Sequence, residues 1–110
     1  MYIKTIVNMY FYPRGIWYIE KAKDKGKKFT IHSPDGSSIS FGAEGFSDYT
    51  EHKNKKRMES YIARHGSGRE DWTDPYTAGF WSRWLLWSEP SFEDAVKLIK
   101  RKFGISVVFK

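Results

Sequence analysis

The sequence predicts an α+β fold, a small single domain over residues 1–110. N-terminal antiparallel β-hairpins pack with three helices and a short C-terminal strand. Three observations predict it. Strand-like runs fill the first third, helical periodicity fills most of the rest, and 110 residues suffice for one hydrophobic core. No internal repeat or linker divides the chain.

Tyr2–Val7 and Ile16–Ile19 are rich in β-branched and aromatic residues, with Pro13, Arg14 and Gly15 as turn chemistry between them. Lys27–His32 and Ser38–Phe41 flank Ser33-Pro34-Asp35-Gly36, where proline presets φ and glycine accepts positive φ. A hairpin follows. Lys21–Lys28 is mostly charged, contains Gly26, and reads as an exposed turn or strand end. Asp48, with Glu51 three residues on, reads as a capping box that starts a helix ending at Gly66. On that helix Met58, Tyr61, Ile62 and His65 are assigned to one face, and Lys53, Lys56, Arg57 and Arg64 to the opposite one.

Thr77–Trp87 is apolar nearly all round and predicts a buried helix, with Trp81, Trp84 and Trp87 in the core. Ser91 caps a last helix over Phe92–Phe103. Its acids lie in the first turn and its bases in the last, matching the helix dipole. Gly104 ends it, and Ile105–Phe109 reads as a strand able to return to the N-terminal ones.

Composition excludes several classes. The chain has no cysteine, which removes disulfides, thiolate metal sites and a Cys nucleophile. A mean hydropathy of −0.64 and no apolar run near ~18 residues predict no membrane span. Met1–Tyr12 lacks the apolar core and cleavage pattern of a signal peptide. Gly42-Ala43-Glu44-Gly45 lacks the lysine and spacing of a phosphate loop, and no cofactor is predicted.

The formal charge is +6 and aromatic content 18%. A basic, aromatic-rich surface suits nucleic acid, because cations hold phosphates while rings stack on bases. Candidate binding residues are Lys53, Lys56, Arg57 and Arg64 on the helix, with Tyr12, Trp17 and Tyr18 around the first turn. A second lysine cluster spans Lys21, Lys23, Lys25, Lys27 and Lys28.

Catalytic candidates are weaker: Asp48, His52, His65 and Glu70. Asp48 and His52 stand one turn apart, a spacing that can polarise an imidazole. His52 and His65 lie ~220° apart around one helix, so they predict no shared metal. His32 reads as structural.

One run is distinctive as text: Phe41-Gly42, Gly45-Phe46-Ser47-Asp48-Tyr49-Thr50 and His52-Lys53. It continues through Arg57, Tyr61-Ile62-Ala63-Arg64-His65, Glu70-Asp71-Trp72 and Ala78-Gly79-Phe80-Trp81-Ser82, then Trp84-Leu85-Leu86-Trp87. It resembles a family of short, basic, functionally uncharacterised proteins encoded by large DNA viruses of microbial eukaryotes and by some phages. The family pattern implies an acid after His52-Lys53, where this chain has Asn54. The resemblance implies a viral product in the virion or the infected cell. Its expected partner is nucleic acid, DNA or RNA, bound without catalysis. A viral or host protein partner is the alternative, and a nuclease-like enzyme the least favoured class.

Overall fold

The computed structural model of the chain describes residues 15–66, 68 and 70–110. The predicted strand Tyr2–Val7, the candidate binding residue Tyr12, and the turn residues Pro13 and Arg14 lie outside the described residues.

Strands β1 (Ile16–Lys21), β2 (Lys27–His32) and β3 (Ser38–Ala43) form an antiparallel ladder. The β2–β3 turn closes as its sequence predicts. Gly36 takes a φ of 95°, and its N–H donates to the Ser33 carbonyl at 3.1 Å. Strand β4 (Ser106–Phe109) pairs with β1 in parallel, which gives the order β3-β2-β1-β4. The predicted return of the last strand therefore holds.

Period-two alternation sorts the sheet residues. Trp17, Ile19, Ile31, Phe41 and Val107 are buried, whereas Ile16, Tyr18 and Val108 stay exposed on the outer face. This corrects one expectation. Trp17 is 0% exposed and packs 5.3 Å from the Trp81 ring, so it cannot stack on a base.

The single helix predicted from Asp48 to Gly66 is two, α1 (Tyr49–His52) and α2 (Lys55–His65). Lys53 adopts the left-handed conformation at φ 56° and its N–H closes α1 on the Tyr49 carbonyl. Asn54 is extended, and its side chain accepts the Arg57 N–H at 3.2 Å, which starts α2. The capping box does not form either. Asp48 caps alone, on the Thr50 N–H, while Glu51 accepts from Lys28.

Where one buried helix was expected over Thr77–Trp87, α3 (Ala78–Trp81) runs into a π-helical segment, Ser82–Leu86. Side-chain bonds to this wider turn accompany it: Trp84 Nε1 donates to the Trp72 carbonyl, and Ser88 Oγ to that of Trp84. Phe80, Trp81, Leu85 and Leu86 enter the core. Trp84 and Trp87 are only half-buried, contrary to expectation.

Helix α4 (Phe92–Phe103) forms as predicted. Ser91 caps it, Gly104 ends it at φ 72°, and Ala95 and Ile99 face the core. No described helix is long and apolar enough to cross a membrane.

Candidate functional site

Lys28 on β2 reaches the start of α1. Its Nζ lies 2.6 Å from Asp48 Oδ2 and 2.7 Å from Glu51 Oε2. Burial pushes the Lys28 pKa down, but the bonds to both carboxylates outweigh it and the net shift is upward. Asp48, 2% exposed, also accepts from the Thr50 N–H and hydroxyl. A buried charge needs such partners. This ion pair is structural, and it consumes one of the predicted lysines.

Helix α2 supplies the next wall. Arg57, Tyr61, Arg64 and His65 all line one pocket of about 470 Å³. Successive turns of a helix place Arg57, Tyr61 and Arg64 together. The arginines therefore flank Tyr61 rather than oppose it, which corrects the predicted division of faces.

Tyr61 is buried in a pile of rings. Its centroid is 4.2 Å from His65 on one side and 4.5 Å from Trp87 on the other. Burial, then the nearby Glu70 charge, raises the Tyr61 pKa well above the phenol range, so the hydroxyl stays neutral.

Glu70 comes from the loop after α2. One oxygen accepts from Trp72 Nε1 at 2.7 Å, and the other lies 3.1 Å from His65 Nδ1. Gly79 makes room for it, since a Cβ there would sit 3.0 Å from Glu70 Oε1. Sequence reasoning named His65 and Glu70 without a geometry. Folding joins them.

The other candidates separate. The His52 imidazole makes no hydrogen bond to the Asp48 carboxylate among the described residues. Its Nδ1 instead accepts the Asn54 N–H at 2.9 Å, which leaves the proton on a buried Nε2 with no partner there. Burial, then Arg57, lowers its pKa. Lys53 Nζ donates to the carbonyls of Thr50 and Pro90. Neither Lys53 nor Lys56 lines the pocket. Arg57 and Arg64 are exposed, and neither forms an ion pair among the described residues.

Two features had no sequence signal. Phe46, on the loop between β3 and α1, is 72% exposed and lines both this pocket and a second depression of about 510 Å³. On the sheet's outer face, His32 bridges Ser38 Oγ at 2.9 Å and Glu20 Oε2 at 2.5 Å, and this bond to His32 lowers the Glu20 pKa. Neither of the two depressions is lined by Glu20, His32 or Ser38. Tyr18, 44% exposed, is the cross-strand neighbour of His32. Among the described residues no group of three or more His, Cys, Asp or Glu side chains could hold a metal ion.

The stretch that builds most of this pocket is also the stretch with detectable relatives. Residues 18–65 match a family of unknown function, DUF5754. The DUF5754 match runs from Tyr18 on β1 to His65 at the end of α2. It takes in Lys28, Asp48, Arg57, Tyr61 and Arg64, and stops before Glu70 and Trp87. No curated protein and no solved structure matches the chain.

Proposed function

We propose that this chain binds nucleic acid at the α2 pocket, with Arg57 and Arg64 on phosphates and Phe46 against a base. One observation carries the reading: two guanidiniums that form no ion pair among the described residues line one pocket together with a buried tyrosine. Arginine suits phosphate because its planar fork donates two parallel hydrogen bonds. Lys27 lines the same pocket and adds positive charge. Exposing a phenylalanine ring costs hydrophobic free energy, and base stacking recovers it. The family resemblance adds a viral setting, in the virion or the infected cell.

The test is fluorescence anisotropy with labelled single-stranded DNA, duplex DNA and RNA over a range of salt. The double variant R57Q/R64Q should flatten the log–log salt slope by ~0.7 per lost contact on a single strand. An unchanged affinity and slope would remove the pocket from the reading.

One observation favours a protein partner instead. Ile16, Tyr18 and Val108 expose apolar surface on the sheet's outer face, and none of them lines the pocket with Arg57 and Arg64. Substituting Tyr18 with Ser should then abolish capture of a viral or host protein and leave anisotropy unchanged.

A further inference from the structure

We propose that the same pocket cleaves RNA, with His65 Nε2 taking the proton from a ribose 2′-hydroxyl so that this oxygen attacks the adjacent phosphorus. The inference rests on the binding reading and adds a reaction to it.

The His65 ring is restrained from two directions. Glu70 lies 3.1 Å from Nδ1, and Tyr61 stacks on the ring at 4.2 Å. A carboxylate on Nδ1 fixes the proton there and leaves the Nε2 lone pair free to accept another. Among the described residues Nε2 has no hydrogen-bond partner, and the side chain is 41% exposed. Glu70 is held in turn by Trp72 Nε1 and fits against Gly79. This is how a general base is oriented. A histidine that only filled space would need neither the carboxylate nor the opening.

The pocket also supplies charge where the reaction develops it. Arg57 and Arg64 line it beside His65, and a phosphorane gains negative charge that guanidiniums stabilise. The nucleophile comes from the substrate. The O2′–P bond forms as the P–O5′ bond breaks, which leaves a 2′,3′-cyclic phosphate and a 5′-hydroxyl. The O2′ proton goes to Nε2 and from there to solvent, and water at the open mouth protonates O5′. No redox partner is needed, and the products together have the composition of the RNA cleaved. DNA, lacking the 2′-hydroxyl, binds and stays intact.

The experiment incubates the protein with an oligoribonucleotide and its deoxy counterpart, and reads products by mass spectrometry. The expected result is RNA fragments ending in 2′,3′-cyclic phosphate, intact DNA, and at least about a 100-fold loss of rate in H65Q. Cleavage at the same rate in H65Q, or none by the natural chain, overturns the reaction. DNA binding by anisotropy on the same samples separates the two proposals, since binding without cleavage sinks only the second.

Two further variants guard against a misfolded H65Q. In H65G, free imidazole should restore cleavage. Glu70 acts as a positioning residue, holding the ring through Nδ1, so E70Q should lower kcat while leaving KM nearly unchanged. An unchanged kcat in E70Q would remove Glu70 from the mechanism.

Discussion

Tyr61 lies flat on Trp87, with ring planes 3° from parallel and centroids 4.5 Å apart. That contact ties α2 to the residue just after the π-helical segment, and so sets the width of the pocket between them. Truncating either ring therefore strikes the fold and the site together. Y61A should lose roughly 3–5 kcal/mol by urea denaturation, in the range of large aromatic deletions. Y61F keeps the stack and should cost no more than about 1.5 kcal/mol for the hydroxyl. Equal losses in the two variants would mean that the ring contact contributes little.

The break between α1 and α2 makes opposite predictions at adjacent positions. N54A removes the cap of α2 and should cost about 1 kcal/mol. K53G relieves a left-handed non-glycine residue by about 1 kcal/mol, less whatever the exposed lysine hydrogen bonds contribute. Thermal melts of the two variants should shift in opposite directions. A fall in both would deny the strain at Lys53.

Asp35 gives a pH dependence with a definite sign. Hydrogen bonds from Ser33, then Ser37, with a further one from Tyr76, hold its carboxyl at about 2 against an ordinary 3.8. A depressed carboxylate contributes stability that is full above the unfolded pKa and is lost as pH falls toward the folded one. Acid unfolding between about pH 4 and 2 should therefore be shallower in D35N than in the natural chain, since asparagine does not titrate. Identical acid limbs would show that the turn carboxylate does not contribute.

Gly79 is a spatial requirement rather than a backbone one. Its φ is not positive, so alanine there suits the helix and by propensity alone would gain roughly 0.5–1 kcal/mol. The new methyl would meet Glu70 instead. G79A should therefore lower kcat for RNA cleavage as E70Q is expected to, while DNA binding persists. Full cleavage in G79A would show that Glu70 has room to yield.

The hairpin was legible because its signals are local: Pro34, Asp35 and Gly36 specify a turn whatever packs nearby. Helix α4 was legible for the same reason, with its cap, its charges and Gly104 in sequence. The break at Lys53 was not, because Asp48 and Asn54 both suit a cap and nothing local decides between one helix and two. The π-helical segment depends on the Trp72 carbonyl that Trp84 reaches, a contact outside its own sequence window. Trp17 was legible in principle, since alternation with Ile16 and Tyr18 puts it inward, but its aromatic neighbours suggested a surface. For the site, His65 and Glu70 were named as chemistry. Their meeting depends on a loop path that composition does not encode.

The parallel pairing of β1 with β4 joins residues at nearly opposite ends of the sequence, with Trp17 against Val107 and Ile19 against Phe109. The antiparallel strands can pair early, because their loops are short and closure is entropically cheap. The fourth strand can pair only after the second and third strands and all the described helices have left the ribosome. During synthesis, the β1 edge and the underside of Trp17 stand open to other chains. Such an interval makes sheet completion a late step and an aggregation hazard. A late step also means that V107A should speed unfolding while leaving the refolding rate nearly unchanged. Stopped-flow traces in urea would read both, and slower refolding would place β4 in the folding nucleus.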